Sequence, residues 1–598
     1  MIKKTLSPAA RLQAFRAELG AQNFDGFLVP RSDEHQGEYV SARSERLAWL
    51  TGFTGSAGLA VISQSHAAIF TDGRYTLQVE TEVDANLYEC LHLSDQPATR
   101  WICEHMSDGQ TLGYDPWLFT PKQVKIYRDI CQEIGIHLQR CNNNPIDAVW
   151  LNQPMAPEES VMYLDLKFTG ETSAEKRLRI SSVLMRDGAD AVILTAPDSI
   201  AWLFNIRGGD VPFAPFALSF AILYSDGSAD WFIDAMKIPA NLRDELDSDI
   251  KVHPPSALSK TIDHLGECKK VVRADPASAA EWIHERLHTA GATLSQLVDP
   301  CQLAKARKNS TQISGMRNAH LRDGIALTRF LFWLEHTIKI SPITEISAAN
   351  QLEYFRRESR MFRGSSFPTI SGAGPNGAIV HYRATGATDR ILTQNSLYLV
   401  DSGAQYPDGT TDITRTIAIG TPSENMRRHF TLVLKGHIAI ARAVFPAGTS
   451  GSQLDVLARL ALWREGLDYD HGTGHGVGSF LSVHEGPQRI TKTPDKIALE
   501  VGMVVSNEPG FYLTGKYGIR IENLVAVKES QCGSQPSNFL DFETLTIAPI
   551  DRHLIQNSLM NNDEIEWLNE YHGRVRREIS PHVDNDVLVW LNSATAPL

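Results

Sequence analysis

The sequence predicts an α/β (α+β) chain in which two similar N-terminal domains precede a larger C-terminal domain. Three observations support this fold class: the length of 598 residues, a pair of matching segments in the first half, and a cluster of carboxylates and histidines in the second half. A chain of this length exceeds what one hydrophobic core supports. The hydrophobic share of 42% and charged share of 21% are ordinary for a globular protein.

The net charge of the chain limits which classes of molecule it is suited to bind. The chain has 57 basic and 70 acidic residues, a formal net charge of −13. An acidic protein without a basic patch is not suited to bind a phosphate backbone. We therefore expect no nucleic-acid partner.

Cysteine usage and hydropathy indicate a cytoplasmic protein. The seven cysteines are an odd number, scattered, without a CxxC pair, which fits a reducing compartment and excludes a thiolate zinc site. The start MIKKTLSPAARLQAF has no apolar core of a signal peptide. The most apolar segment, residues 211–227, is interrupted by Pro212 and Pro215 and is too short to cross a bilayer.

Two segments in the first half repeat one pattern. After an amphipathic helix and the buried strand GFLVP come the strand-like runs RLAWLTGFTGSAGLAVI and AAIFTDGRYTLQVE. Residues 189–235 repeat the strand, the Ala-Trp-Leu triplet, the glycines and the Asp-Gly turn, so that Trp202 and Asp226 correspond to Trp49 and Asp72. We interpret this as a duplicated α/β domain. The alternative is chance recurrence of short apolar runs and glycine turns.

We expect three domains, at residues 1–158, 159–306 and 307–598. The third opens with a helix over AKARKNSTQISGMRNAHLRDGIALTRFLFWLEHTI. It closes with a helical extension, about 550–598, where Trp567 and Trp590 anchor two amphipathic helices to this chain's own core or to a second copy.

Asp401 and Asp412 form the first half of a candidate site. Asp401 ends the apolar run SLYLV, and the turn at residues 407–410 returns the chain as TTDITRTIAI. A hairpin of this kind brings the two aspartates together, with Asp412 on the polar face of the returning strand. An Asp pair alone also fits a solvated hairpin, so the pair is informative only beside further candidate ligands in the same domain.

The loop HGTGHGVG and the residues after it place His471, His475 and His484 close together, among glycines that let the backbone approach a ligand. Histidine serves as a metal ligand or as a proton-transfer group. A structural role remains the alternative for any one of the three.

Two glutamates complete the pattern. Glu508 follows GMVVSN and Glu522 follows GIRI, so both end apolar strands. Burying these charges is costly unless a cation neutralises them. Arg520 shares a strand face with Glu522 and is expected to orient that carboxylate from behind, or to form a plain salt bridge. Four carboxylates and one imidazole suit a pair of hard divalent cations, which predicts a two-metal hydrolase.

The order Asp, Asp, His, Glu, Glu, in the contexts DSGAQY, DGTTDITRT, HGTGHGVG, NEPGFY and GIRIEN, resembles the M24 metallopeptidase family. The resemblance is greatest to its long, three-domain Xaa-Pro aminopeptidase (aminopeptidase P) branch. It extends over nearly the whole chain, including TDGRY at 71–75, IVHYRAT at 379–385 and WLNEYH near the end. It implies two creatinase-like N-terminal domains followed by a catalytic domain of the pita-bread fold.

The resemblance also implies roles for the metal ligands. Asp401 would hold one ion, Asp412 and Glu522 would bridge both, and His475 with Glu508 would complete the other. The family usually prefers Mn²⁺, which agrees with this donor set. A hydroxide between the two ions would attack the scissile carbonyl, with Glu508 as proton acceptor.

Four further residues would act on the substrate. His381, in IVHY, and His484 would bind the peptide and steady the oxyanion and the leaving nitrogen. His471 would line the pocket that accepts proline. Arg74 resembles a substrate-contacting arginine of the long branch, although DGRY also suits an ordinary turn.

The expected activity is removal of the N-terminal residue from peptides with proline in second position. A prolidase, which cleaves Xaa-Pro dipeptides, is the main alternative, and a methionine aminopeptidase fits less well because that activity belongs to shorter chains. A non-catalytic binding protein of the same fold is a further alternative. Members of this length commonly form homodimers.

Overall fold

A computed structural model describes residues 6–531 and 538–598 of the chain. The chain forms two compact units, one of residues 1–164 with 171–301 and the other of residues 165–170 with 302–598. Within the described ranges, none of the helices has the length and apolar content that crossing a membrane requires.

The first unit begins with a six-stranded sheet. The strands are β1 (Gly26–Pro30), β2 (Leu59–Ser63), β3 (Ala67–Thr71), β4 (Glu89–His92), β5 (Thr111–Tyr114) and β6 (His137–Arg140). The helices are α1 (Pro8–Ala21), α2 (Arg46–Thr51), α3 (Thr76–Glu82), α4 (Ala98–His105), α5 (Pro121–Glu133) and α6 (Pro145–Val149). The strand order is β4-β3-β2-β1-β5-β6, and β1 is the predicted GFLVP segment, buried along its whole length. The predicted first helix packs Leu12, Phe15 and Leu19 into the core.

A second six-stranded sheet follows in the same unit. The strands of this region are β7 (Met162–Tyr163), β8 (Ala191–Leu194), β9 (Ile206–Arg207), β10 (Phe220–Tyr224), β11 (Ala229–Phe232), β12 (Ile250–His253), β13 (Val271–Arg273) and β14 (Thr293–Ser295). The helices are α8 (Ser173–Arg186), α9 (Pro197–Leu203), α10 (Ala240–Glu245), α11 (Leu258–Glu267) and α12 (Glu281–Ala290). The strand order of the sheet is β12-β11-β10-β8-β13-β14. Its pattern of parallel and antiparallel neighbours is the same as in the first sheet, with β8 in the place of β1, so the predicted duplication is confirmed.

One local prediction in this unit is wrong. The sequence reads RLAWLTGFTGSAGLAVI and AAIFTDGRYTLQVE as strand-like runs punctuated by glycine and an Asp-Gly turn, but each also contains a helix, α2 and α3 respectively. Short apolar runs do not separate a strand from a buried helix by their pattern alone. The corresponding Trp202 also lies in a helix, α9, so the repeat itself holds.

The second unit surrounds two antiparallel sheets. Its helices are α7 (Leu166–Thr169), α13 (Pro300–Ala306), α14 (Ser310–Thr337), α15 (Glu345–Arg357), α16 (Glu424–Ala441), α17 (Gly451–Trp463), α18 (Asn562–Ile579) and α19 (Asn585–Ala594). Its strands are β15 (Gly364–Ser365), β16 (Ile370–Ala373), β17 (Ser396–Ser402), β18 (Ala404–Tyr406), β19 (Gly409–Thr410), β20 (Ile413–Ile419), β21 (Phe445–Pro446), β22 (Gly474–His475), β23 (Arg489–Ile490), β24 (Val504–Asn507), β25 (Gly510–Leu513), β26 (Tyr517–Arg520), β27 (Asn523–Glu529) and β28 (Phe539–Thr544). The two central sheets have the orders β16-β17-β20 and β21-β28-β27-β24.

The helix expected from residue 304 onward is interrupted. It divides into α13 and α14 because Asn309 caps α14, accepting from the backbone N–H of Gln312 while Gln312 bonds back to it. The two C-terminal helices form as expected. Trp567 stacks on Tyr571, and Trp590 Nε1 donates to Glu335 at 2.6 Å. Both tryptophans thus pack within their own chain.

Six of the cysteines lie in the described part of the chain, and all six are free thiols. The seventh, Cys532, lies outside the described residues.

Candidate metal centre

Asp401 and Asp412 lie on neighbouring antiparallel strands. Asp401 belongs to β17 and pairs with Thr414 of β20, while Asp412 immediately precedes β20. The intervening β18–β19 hairpin reverses the chain at residues 407–408, as the turn sequence predicts. Both aspartates are buried.

Glu508 and Glu522 flank the same end of a second strand pair. β24 and β27 pair antiparallel, with Asn507 opposite Asn523, so Glu508 follows one strand where Glu522 precedes the other. The antiparallel register therefore brings together two carboxylates that are distant in sequence. This is the arrangement that the valine-rich runs ending in glutamate indicate.

His475 stands between the two carboxylate pairs. Its Nε2 lies 3.4 Å from Asp412 Oδ2 and 3.4 Å from Glu508 Oε1. Ligand atoms of Asp412, His475 and Glu522 all lie within 4.8 Å of one another, close enough to hold one metal ion. The preceding glycine is required sterically, because a Cβ at Gly474 would lie 2.0 Å from the carbonyl oxygen of Ser506.

Burial and mutual repulsion shift the pKa values of these groups. Burial raises the pKa of Asp401 to about 7, with the Arg520 cation opposing the rise. Burial, followed by the charge of Asp412, raises the pKa of Glu522 well above its usual range. Burial opposes protonation of His475, but the Asp412 and Glu508 carboxylates outweigh it and raise the pKa of that imidazole to about 9. The cluster carries more negative charge than the protein neutralises, which is the electrostatic requirement for binding cations.

Asp401 offers a free lone pair. Its Oδ2 accepts from Arg520 Nη2 at 2.6 Å, whereas its buried Oδ1 has no hydrogen-bond partner among the described residues. A buried carboxylate oxygen left unpaired is costly unless a ligand outside the protein occupies it. The donor set of four carboxylates and one imidazole, with this orphaned oxygen, fits hard divalent ions.

Arg520 differs from expectation. From the sequence, Arg520 was expected to contact and orient the carboxylate of Glu522, but its guanidinium donates to Asp401. Thr414 contacts Glu522 instead: its hydroxyl donates to Oε2 at 2.7 Å. A strand-face argument considers neighbours within one strand, and it missed the contact across to β17.

The histidines expected to act on the substrate occupy different positions. The rings of His484 and His475 are 4.4 Å apart, so His484 lies beside the carboxylate cluster. His471 Nε2 forms a 2.8 Å hydrogen bond with the hydroxyl of Tyr512, and Arg520 Nη1 donates to the same hydroxyl at 2.6 Å. His471 is thereby connected to Asp401 through the side chains of Tyr512 and Arg520.

His381 and Arg74 belong to other segments of the chain than the histidine-rich loop. His381 lies half-buried in a loop. The residue before it, Val380, has its carbonyl oxygen 3.5 Å from the guanidinium of Arg520. Arg74 belongs to the first unit, where it forms two hydrogen bonds with Asp72, at 2.9 and 2.8 Å. Its substrate contact remains a prediction.

Three residues around the carboxylates were missed by sequence reasoning: Thr414, Ser506 and Tyr512. Thr414 holds Glu522, and Ser506 donates to Glu508 Oε1 at 3.0 Å. Both lie two residues from a predicted ligand, a spacing that could have identified them. Tyr512 has no such signal, because its role depends on the pairing of β25 with β26.

The match to known families spans almost the whole chain. Residues 314–529 match metallopeptidase family M24, and residues 538–598 match the C-terminal region of that peptidase. Residues 11–148 and 152–312 each match the creatinase/prolidase N-terminal domain. Full-length relatives at up to 40% identity agree with these matches. The chain therefore belongs to metallopeptidase family M24, in a form with two creatinase-like domains.

Several curated relatives and one solved structure are similar to this chain over nearly its whole length. A probable Xaa-Pro aminopeptidase P of Paracoccidioides brasiliensis is 38% identical over 622 residues, covering 100% of both chains. Its counterpart in Neurospora crassa is 40% identical over 615 residues, covering 99% of this chain and 90% of the other. The crystal structure of an X-prolyl aminopeptidase from Caenorhabditis elegans, described as a cytosolic enzyme with a di-nuclear active site, superposes with a TM-score of 0.94 at 35% identity, covering 99% of this chain and 100% of that one.

Proposed function

We propose that this protein is an Xaa-Pro aminopeptidase, which removes the N-terminal residue of a peptide whose second residue is proline. The observation that carries the proposal is the convergence of four carboxylates and His475 at the ends of two antiparallel strand pairs. The end-to-end similarity to proteins described as Xaa-Pro aminopeptidases supports the choice of substrate.

The metal ligands take the roles that the family pattern implies. Asp401 would hold one ion, Asp412 and Glu522 would be shared by the two, and His475 with Glu508 would complete the second site. A pair of divalent ions supplies electrophilic polarisation of the scissile carbonyl and a lowered pKa for bound water. Mn²⁺ is the proposed metal because hard carboxylate ligands with one imidazole suit it.

The protein's own groups handle the proton and the substrate. Glu508 lies within reach of His475 and accepts the proton of the attacking water. His484, which lies beside His475, and His381 bind the substrate and steady the oxyanion and the leaving nitrogen. Arg520 and Tyr512 hold Asp401 and His471 in fixed orientations.

Proline selectivity follows from the chemistry of the bond. In the bond before proline, the amide nitrogen is that of proline itself, which has no N–H and is constrained by the ring. Enzymes that recognise an extended backbone through that N–H therefore lose a contact. A pocket shaped for the pyrrolidine ring and lined by His471 recognises proline through the shape of that ring.

Removal of a single residue requires recognition of the free N-terminus. We propose that the substrate ammonium is attracted to the carboxylates around the metals. An N-acetylated Xaa-Pro peptide cleaved as fast as the free peptide would contradict this.

We also propose a cytosolic homodimer that meets through its catalytic unit. The relative from Caenorhabditis elegans is described as a cytosolic enzyme. Helix α17 exposes an apolar stripe at helical spacing: Val456 at 41%, Leu460 at 41% and Trp463 at 43%. Leu460→Glu should convert the dimer to a monomer on size-exclusion chromatography, and an unchanged elution volume would exclude this face.

The functional test uses three matched peptides, Xaa-Pro-Yaa, Xaa-Pro and Xaa-Ala-Yaa, with protein stripped by a chelator and resupplied with Mn²⁺. We expect metal-dependent release of the first residue from the proline tripeptide only. Cleavage of the dipeptide alone would indicate a prolidase. No cleavage of any peptide by protein that has bound metal would contradict the proposed specificity.

A further inference from the structure

A buried carboxylate lies behind the loop that carries His381. Glu345, at the first position of α15, is 0% exposed. Its Oε1 accepts from the backbone N–H of Ala373 at 2.7 Å and from Asn376 Nδ2 at 2.9 Å. Its Oε2 accepts from the hydroxyl of Tyr382 at 2.8 Å and from the backbone N–H of Arg390 at 3.0 Å. One carboxylate therefore gathers four donors.

Two of these donors, Asn376 and Tyr382, lie within a single loop, and the other two, Ala373 and Arg390, flank it on either side. We call residues 374–389 the His381 loop; it leaves β16 at Ala373 and ends before Arg390. Apart from a short 3-10 helix at Gly374–Ala378 it has no regular structure, so no strand ladder holds it in place. Tyr382 directly follows His381, and its hydroxyl is also in contact with Asn376 and with the carbonyl oxygen of Thr388. Glu345 therefore forms a hydrogen bond with the residue next to His381.

The far side of the loop meets the metal centre. The carbonyl oxygen of Val380 lies 3.5 Å from both terminal nitrogens of Arg520, whose Nη2 donates to Asp401. His381 thus lies between two neighbours that are held independently, Val380 at Arg520 and Tyr382 at Glu345. A side chain flanked in this way has little freedom to move along the loop.

We propose that Glu345 is the positioning residue that sets His381 for the substrate. The inference rests on the proposed function, in which His381 contacts the peptide. The carboxylate accepts four hydrogen bonds and donates none, so an amide of the same shape would turn an N–H₂ group toward donors. Losing part of this anchor releases the loop without removing a metal ligand.

The test compares Glu345→Gln, Tyr382→Phe, His381→Ala and the double variant Glu345→Gln/His381→Ala. Glu564→Gln is the matched control: Glu564 also lies in the first turn of a helix and accepts from a partly buried partner, Lys435, at 2.8 and 2.6 Å. We expect kcat of Glu345→Gln to fall roughly 10- to 100-fold on Xaa-Pro-Yaa, since small misplacements of a catalytic group cost this much. Tyr382→Phe should lose less, and metal content should stay at the wild-type value in both.

The double variant distinguishes positioning from general damage. If Glu345 acts through His381, the double variant is no slower than His381→Ala alone. Multiplying losses, or a Glu345→Gln enzyme as fast as wild type, would overturn the inference. A fully active His381→Ala would overturn it too, while leaving the aminopeptidase activity in place.

Amide hydrogen exchange gives a reading that does not depend on turnover. We expect faster exchange over residues 379–385 in Glu345→Gln and Tyr382→Phe than in wild type or Glu564→Gln. Unchanged exchange in these variants would contradict the inference that Glu345 and Tyr382 restrain the His381 loop. An inactive wild-type enzyme with faster loop exchange in the variants would contradict the proposed function while the anchor stands.

Discussion

Arg520 Nη2 donates to Asp401 Oδ2 at 2.6 Å, and both side chains are buried. Asp401 Oδ1 is left without a partner in the described protein, so this second oxygen is available to a cation. Because Arg520 orients a proposed metal ligand, we expect it to affect metal affinity as well as catalysis.

Removing the guanidinium should therefore weaken metal binding. We expect Arg520→Gln to lower metal affinity and kcat/KM by about 10- to 100-fold, because Asp401 loses its orienting charge-assisted hydrogen bond. Metal titration with a chromophoric chelator measures the affinity. Arg317→Gln is the control, since Arg317 pairs with Glu543 at the surface of the same unit. Wild-type affinity in Arg520→Gln would show that Asp401 needs no such support.

The proposed bridging role of Asp412 makes a stronger prediction. Asp412→Ala should abolish metal binding and turnover while the protein stays folded, because the substitution removes a shared ligand from a site that is otherwise intact. Metal content by mass spectrometry and far-ultraviolet circular dichroism measure the two effects. Asp470→Ala, an exposed aspartate in the same region, should behave as wild type. Retained turnover in Asp412→Ala would refute the assignment.

Glu485, the residue after His484, forms a buried ion cluster. Its two oxygens lie 2.9 Å from Lys305 Nζ and 2.6 Å from Lys308 Nζ, and all three side chains are at most 2% exposed. Glu485→Gln leaves two ammonium groups without their counter-charge. We expect a loss of about 3–5 kcal/mol in unfolding free energy, the usual result of breaking a buried pair from one side.

The matched control for this substitution is Glu500→Gln. Glu500 pairs with Arg307 at the surface, where the side chains are 37% and 45% exposed. Such exposed pairs contribute about 0–1 kcal/mol. Urea unfolding of both variants measures the difference, and equal stabilities would mean that the buried cluster contributes no more than the surface pair.

Acid should destabilise the catalytic unit through His572. Burial, followed by the charge of Arg415, lowers the pKa of His572 to about 3, and its Nε2 accepts from the backbone N–H of Ile550 at 3.1 Å. Between pH 3 and the unfolded value of about 6.5, the unfolded chain binds the proton that the folded chain excludes, so stability falls as the pH falls through this window. At pH 5 this contribution is about 2 kcal/mol.

The measurement is the difference in unfolding free energy between pH 7 and pH 5. His572→Gln should reduce that difference by about 2 kcal/mol, because glutamine does not titrate. His336→Gln, at an exposed position, should leave it unchanged. An unaltered pH dependence in His572→Gln would show that the imidazole titrates in the folded protein as it does in the unfolded chain, contrary to this prediction.

The parts of the site that depend on local pattern could be predicted from sequence. Glu508 and Glu522 were located because β-branched runs ending in a carboxylate are visible in a short window. The Asp401–Asp412 pairing could be inferred from the turn between them. The partner of Arg520 could not be predicted in this way, because β17 and β26 come into contact only when the unit is folded. The hydrogen bonds between Glu345 and the His381 loop also have no signature in the sequence of either segment.

The sequence by itself determined the duplicated α/β domains, the order of the five candidate ligands and their places at strand ends. Hydrophobic periodicity and turn chemistry encode these features over a few residues, so a single chain is enough to read them. Only the tertiary structure decided that Arg520 supports Asp401, that Thr414 holds Glu522, and that Lys305 and Lys308 neutralise Glu485. Those contacts join residues far apart in the chain, and they form because a buried charge or polar atom must find a partner wherever the fold provides one.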